Sequence, residues 1–386
     1  MRMLFIISEL TFGGAQKQVI ELGRELVRRG HGVAIYTLNR DVPRAKELAG
    51  SGVELVVDQK RWKLDPGVLL RLRRFMLDWH ADIAHGFLFD GDFYARLAAL
   101  GTGIPVLNSE RSDNYTLSRT QLFAHHLTRA LVDGVVANSR SGSAFAQRLY
   151  GYDPGRMHVV WNGMRIDEYA RQATSANDYR REFFGDGARK LAVLVGSIKP
   201  AKDYHLAIDA AAELVGRAPE WRVLFLGDQL AKAASRYRVG KDSDSGDYKG
   251  EVLRHYERLG IADRVKFGGE RGDVPAIVAQ SDVLFVTSCR EGFPNVVLEA
   301  MALGVPVAST DYSDIRDILP RASQVVTTRT PDALARAILL ADAQRDAIAA
   351  EQSRWLRANA SIEKAATNLE NVYRRYVRAD AIAHPA

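Results

Sequence analysis

Short apolar runs alternate with stretches of helical periodicity along most of the chain. Residues 4–7 form one such run, followed by a helix pattern carrying Val19, Leu22 and Leu26, and then by Val33-Ala34-Ile35-Tyr36. A short apolar run bounded by turns reads as a strand buried on both faces, and a 3.6-residue period reads as the helix that covers it. Further strands are expected at 53–57, 83–85, 106–107, 135–137 and 158–160. This alternation implies βαβ units and one parallel sheet. The polar stretch 171–186 has no clear period, so a domain boundary is placed near Gly187. The pattern then restarts with strands at 191–195, 223–226, 265–267, 283–286 and 305–307, which predicts a second doubly wound α/β domain. Residues 228–249 read as a mobile polar insertion, and 361–380 as an amphipathic helix. The expected organisation is 1–186, 187–360 and a terminal helix with its tail at 361–386.

Composition narrows this picture only a little. With 386 residues and 47% hydrophobic content, the chain can bury a large core. The single Cys289 excludes an internal disulfide; it follows the apolar run 283–286 and is expected to be a buried structural thiol in a reducing cytoplasm. The opening apolar run is too short for a signal-peptide core and reads as a first strand. No apolar run approaches the ~20 residues that cross a bilayer, so any membrane contact is expected to be peripheral. A net charge of +6 favours anionic partners. No strip of interleaved basic and aromatic residues points to nucleic acid.

The stretch REGFPNVVLEAM, residues 290–301, places Glu291 in a loop after an expected strand and Glu299 about one turn into the following helix. Ligands bind at the carboxyl ends of strands in an open α/β sheet, and a helix N-terminus there favours phosphate. Glu291 and Glu299 can therefore face one crevice together with the backbone of Gly292, Phe293, Pro294 and Asn295. The bland reading has Glu299 complementing the helix dipole and Glu291 solvated. Gly13 and Gly14 open the first helix, where paired glycines either bring backbone close to a phosphate or simply make a turn. Lys199 and Lys202 stand after the first strand of the second domain, as two cations suited to an anionic group.

From residue 281 to Ser309 the chain resembles the signature region of retaining GT-B glycosyltransferases, the glycogen-synthase-like or glycosyl transferases group 1 superfamily. Supporting matches are Gly13-Gly14, Asn138-Ser139, Asn162-Gly163, Gly227-Asp228 and Gly268-Gly269, so the likeness covers nearly the whole chain. It implies two Rossmann-like domains facing an interdomain cleft, the first binding an acceptor and the second a nucleotide sugar, with the last helix crossing back to the first. The resemblance assigns Glu299 to the ribose hydroxyls of the donor and Glu291 to sugar hydroxyls near the reacting carbon. Lys202 matches the family's lysine, whereas Ser197 stands where an arginine is common and Lys199 restores that charge. Many relatives carry a histidine where this chain has Glu110, which either accepts a proton from the acceptor hydroxyl or pairs with Arg111. His85 is the rival for that role, or a structural hydrogen-bonding group.

The reading is a hexosyl transfer from a nucleotide donor, a UDP-sugar, with no cofactor and no metal. Asp90-Gly91-Asp92 reads as a helix N-cap, and Asp242-Ser243-Asp244 lies in the polar insertion. The run NSERSDN, residues 108–114, resembles members that extend polyprenyl-linked or surface glycans, which implies a glycan or lipid-linked acceptor. A nucleotide-sugar 2-epimerase and a non-catalytic nucleotide-sugar-binding protein are the alternatives. The segment 66–79 reads as a helix capped by Asp65, with Val68, Leu69, Leu72, Phe75, Met76 and Trp79 on its core face. Leu70 and Leu77 form a second ridge beside Arg73 and Arg74, after Lys60, Arg61 and Lys63, which suits an anionic bilayer at the inner face of the cell membrane.

Overall fold

A computed structural model describes residues 1–111, 117–187, 189–228 and 247–377. Its elements follow in the order β1 (Arg2–Ile7), α1 (Gly14–Arg28), β2 (Gly32–Thr37), β3 (Glu54–Val57), α2 (Pro66–Asp78), β4 (Ile83–Phe87), α3 (Leu88–Ala99), β5 (Val106–Glu110), α4 (Arg119–Thr128), β6 (Gly134–Ala137), α5 (Arg140–Tyr150) and β7 (Met157–Val159). The chain continues with α6 (Ile166–Gln172), α7 (Tyr179–Phe184), β8 (Lys190–Val195), α8 (Tyr204–Arg217), β9 (Trp221–Leu226), α9 (Tyr248–Leu259), β10 (Val265–Gly269), α10 (Val274–Ala279) and β11 (Val283–Val286). It ends with α11 (Asn295–Ala302), β12 (Val307–Thr310), α12 (Ile315–Ile318), β13 (Val325–Val326), α13 (Pro331–Ala343), α14 (Arg345–Asn359) and α15 (Ile362–Tyr373).

The chain divides into two compact units. In the first, seven strands pair in the order β3-β2-β1-β4-β5-β6-β7, every pair parallel. Leu4 and Ile6 point to one face of β1, with Met76 and Tyr94 in the same cluster, while Met3, Phe5 and Ile7 point to the other with α1 and α15. Helices on both faces explain why the strand reads as a continuous apolar run. The second unit has six parallel strands in the order β10-β9-β8-β11-β12-β13 around a core containing Trp221, Phe225 and Phe285. β13 is only two residues long, too short for an apolar run to announce it.

The units part at Met164/Arg165 instead of near Gly187. The segment without visible period carries the end of α6 and all of α7, and its polar groups bind the rest of the second unit. The Tyr179 amide donates to Gln280 Oε1 at 3.0 Å, and Arg180 donates to the Gln280 carbonyl at 2.8 and 3.1 Å and pairs with Asp282 at 2.9 Å. Polar anchoring of this kind leaves no apolar period to read. At the other end, α15 belongs to the first unit. Gly163 permits its approach: a β-carbon there would stand 2.7 Å from both the Ser361 carbonyl oxygen and the Ala365 β-carbon. Gln18 closes this crossing, donating to the Gly163 carbonyl at 2.7 Å and accepting its amide at 3.1 Å.

α2 is capped by Asp65, which accepts from the Gly67 and Val68 amides, and Val68, Leu72 and Met76 are buried beneath it. Asp90 and Asp92 do not cap α3, because that helix begins earlier, at Leu88. Asp90 pairs with Lys60 instead, and Asp92 Oδ1 accepts the Ser109 amide at 3.2 Å. The other aspartate pair, Asp242 and Asp244, the rest of the polar insertion from 229 to 246, and the tail beyond 377 lie outside the described residues.

Asp92 retains a little accessible surface, yet protein encloses its carboxyl. Burial pushes it up to about 7, against the pull of Arg96, the Ser109 amide and Arg111. A carboxyl that is easier to protonate folded than unfolded adds stability at low pH, and that stability is lost as pH rises from about 4 to about 7. Asp92→Asn keeps the acceptor for Ser109 and removes the buried charge. It should leave stability at pH 4 nearly unchanged and raise it at pH 8 by about 1–2 kcal/mol, a figure reduced for the partial exposure. Equal melting shifts at both pH values would contradict this.

Candidate functional site

Strand order in the second unit reverses between β8 and β11, so chains leaving these neighbours run to opposite sides and open a crevice at their carboxyl ends. Lys199 caps and Lys202 ends a single 3₁₀ turn after β8, and Glu291 lies in the loop after β11. The two loops meet there. Lys202 Nζ pairs with Glu291 Oε1, and Ser288 Oγ donates to the same oxygen at 2.5 Å. The Lys202 and Glu291 side chains keep only 11% and 13% of their surface, so removing either leaves a poorly solvated charge. Both contacts fall on Oε1.

The backbone holds the same geometry. Thr287 Oγ1 donates to the Lys202 carbonyl at 2.6 Å, and the Cys289 amide donates to the Ala201 carbonyl at 2.9 Å. Gly196 leaves room for the Lys202 stem, since a β-carbon would stand 3.1 Å from Lys202 Cε. Lys199 reaches solvent although protein crowds around it. Desolvation, followed by the Lys202 charge, lowers its pKa below the ordinary lysine value, while Glu291 opposes the shift.

Gly292, Phe293 and Pro294 are buried, and α11 begins at Asn295. The Asn295 amide donates back to the Phe293 carbonyl at 3.0 Å and is not turned toward a ligand. Glu299 hydrogen-bonds the Tyr169 hydroxyl from α6; burial and this carboxylate together raise the tyrosine pKa. Sequence reading missed Tyr169 and Ser288, whose roles depend on neighbours distant in sequence or on loop shape. Cys289 is exposed and is not a core thiol, because tying its amide to the Ala201 carbonyl turns its side chain outward.

In the first unit the order reverses between β1 and β4. Gly13 is the extended N-cap residue of α1, with φ −144°, and Gly14 begins that helix, both just beyond β1. Glu110 ends β5 and is partly exposed. Arg111 beside it feels its charge, while Nη1 donates to Asn162 Oδ1 at 2.9 Å and the guanidinium lies 5.1 Å from the Phe87 ring centre. Burial brings the Arg111 pKa down to about 10. His85 is fully buried, with Nδ1 2.5 Å from the Tyr373 hydroxyl and Nε2 2.8 Å from Ser109 Oγ. Desolvation and then the Arg111 charge push its pKa well below the ordinary value, so the ring is neutral and both nitrogens are engaged. That is the structural role, with no nitrogen left for an acceptor hydroxyl. The NSERSDN run is described only as far as Arg111.

Comparison with known proteins agrees with this architecture. The family described as Glycosyltransferase Family 4 matches residues 12–168, and Glycosyl transferases group 1 matches 176–360. A D-inositol 3-phosphate glycosyltransferase 2 of Catenulispora acidiphila is 30% identical over 77% of this chain and 74% of its own length. A D-inositol 3-phosphate glycosyltransferase of Salinispora arenicola is 26% identical over 95% and 88%. Among solved structures, Anabaena Alr3699/HepE in complex with UDP has a TM-score of 0.79 at 21% identity, covering 97% of this chain and 100% of that one. The apo form of the lipopolysaccharide outer core galactosyltransferase WaaB has a TM-score of 0.68 at 18% identity, covering 98% and 100%. At those identities the structural likeness bears on fold alone, whereas the Catenulispora relative and the two family matches bear on descent. The chain belongs to the group 1 glycosyltransferases of the GT-B fold, with a Family 4 unit preceding the group 1 unit.

Proposed function

We propose that this glycosyltransferase moves a hexose, with retention, from a UDP-sugar to a hydroxyl of its acceptor. The observation that carries the reading is the junction of Lys202 with Glu291 and Ser288 at the β8/β11 switch point, with Lys199 in the same turn. Transfer breaks the bond from the anomeric carbon to the diphosphate oxygen, and the electron pair leaves with the phosphate. Lys202 and Lys199 stabilise that developing charge in a poorly solvated site, and no metal is then required. Glu291 orients a sugar hydroxyl and steadies positive charge at the anomeric carbon. Glu299, held by Tyr169, takes the ribose hydroxyls. The acceptor oxygen bonds to the anomeric carbon, and its proton passes to Glu110. The UDP and UDP-glucose complexes of HepE support the choice of donor.

A lipid-linked or surface-glycan acceptor suits the exposed apolar residues around α2. Leu70 is 66% exposed and Trp62 64%, and Leu64 and Leu77 are also exposed beside Arg61, Lys63 and Arg74. Three of the expected cations have partners: Lys60 pairs with Asp90, Arg73 donates to the Ala98 and Leu100 carbonyls at 2.9 and 2.6 Å, and Arg74 makes an exposed pair with Asp78 at 3.3 Å. No helix among the described residues is long and apolar enough to cross a membrane, so the contact proposed is peripheral, at the inner, cytoplasmic face. The names of the curated relatives favour a second reading, a small phosphorylated polyol as acceptor. Arg111, whose buried Nε has no hydrogen-bond partner among the described residues, adds positive charge near the end of β5 that suits such an anion.

The test is turnover with a panel of nucleotide sugars, with and without an acceptor extract and inositol phosphate. Sugar transfer supports the reading; an altered free nucleotide sugar without acceptor identifies an epimerase; donor binding without turnover identifies a binding protein. Lys202→Ala should lower turnover ten- to a hundredfold, about 1.4–3 kcal/mol of transition-state stabilisation, while EDTA leaves the wild type active. Glu299→Ala should chiefly raise the donor KM and Glu291→Gln chiefly lower kcat. Donor affinity should fall with rising pH earlier than an ordinary lysine would allow, because the depressed pKa of Lys199 removes its charge sooner, and Lys199→Arg should abolish that limb.

Flotation with vesicles containing anionic lipid tests the membrane contact. Wild type should bind at low salt and release at high salt, and joint replacement of Leu70 and Leu77 by Ser should weaken binding. Absence of wild-type binding at low salt would leave the soluble acceptor as the reading.

A further inference from the structure

Arg329 lies between β13 and α13, far in sequence from both loops of the candidate site. Its guanidinium nevertheless joins them. Nη1 donates to the Ser288 carbonyl at 3.0 Å, and Nη2 donates to the Thr287 carbonyl at 2.7 Å and to Asp203 Oδ2 at 2.7 Å. Asp203 directly follows Lys202 and caps α8 with φ +47°, a left-handed conformation that a side chain makes costly. Ser288 carries the hydroxyl that binds Glu291. One planar fork thus spans the turn that bears Lys202 and the loop that bears Glu291, a geometry that the single ammonium of a lysine cannot reproduce.

The plain alternative is that Arg329 only fastens the end of β13. Its ion pair with Asp203 is about one-third exposed on each side, and exposed pairs add little to stability. All three of its acceptors lie immediately beside the residues that hold Lys202 and Glu291. We infer that Arg329 is a positioning residue, which fixes the Lys202 turn against the Glu291 loop so that the Lys202 ammonium is aimed at the diphosphate of the donor. The inference rests on the donor reading proposed above.

UDP and uridine, titrated separately, test it, since only UDP carries the diphosphate that Lys202 would hold. Arg329→Ala should weaken UDP about tenfold and leave uridine unchanged, with Arg329→Lys in between. In a Lys202→Ala background the same substitution should cost less than about twofold, because residues acting through one another are not additive. Equal weakening of UDP and uridine would show a merely structural role and overturn the inference. Unchanged UDP affinity in Arg329→Ala, or full additivity with Lys202→Ala, would do the same while leaving the donor reading intact. If Arg329→Ala fails to fold, Arg329→Lys decides by the same comparison of UDP with uridine. A wild type that binds no UDP overturns both the donor reading and this inference.

Discussion

The ion pair between Lys202 and Glu291 depends on a property of parallel sheets. Two strands adjacent in space but separated in sequence end side by side, and their following loops diverge. In this chain those strands are β8 and β11, and the gap beyond them is closed by a cation from one loop and an anion from the other. Each charge lies in poor solvent, so each depends on the other until something replaces it. A ligand that offers a phosphate to the lysine and a hydroxyl to the glutamate can make that replacement. The surrounding contacts from Ser288, Thr287 and Arg329 keep the two loops in place for it.

The first unit handles buried polarity differently. His85, Ser109 and Tyr373 form a chain of hydrogen bonds in which the imidazole is neutral, and Asp92 is pushed toward its protonated form. Burial removes charge from these groups, and hydrogen bonds satisfy them. Arg111, whose pKa falls yet stays far above neutrality, is a cation retained beside them, as is the buried Arg96. The contrast separates groups that shape the sheet from groups available to a ligand.

Much of this architecture could be read from the chain itself. Apolar runs such as 283–286 mark strands covered on both faces, and the strand–loop–helix succession around Glu291 places it at a carboxyl end. The rest was hidden for definable reasons. The boundary at Met164 depends on Arg180 and Tyr179 reaching Gln280, which are contacts between polar groups about a hundred residues apart. The exposure of Cys289 follows from one backbone bond to Ala201, not from its apolar neighbours. The partner of Glu299 lies on α6 and that of Asp203 beyond β13, where local pattern carries no information about them.

The hydrogen bond between Tyr373 and His85 also has a consequence in time. The first unit takes its opening residues and its last helix from opposite ends of the chain, whereas residues 165–359 of the second are contiguous. On a ribosome, β1 to β7 emerge first but lack the Ile362, Leu369 and Tyr373 side chains that complete their core. Some two hundred residues separate Met164 from Tyr373, so at ~5–20 residues per second the early sheet waits roughly 10–40 s for its closing helix. During that interval His85 lacks one of its two partners, and the face of the sheet that α1 covers lacks the rest of its cover. The second unit is therefore the first that can fold to completion, and the amino-terminal unit matures last.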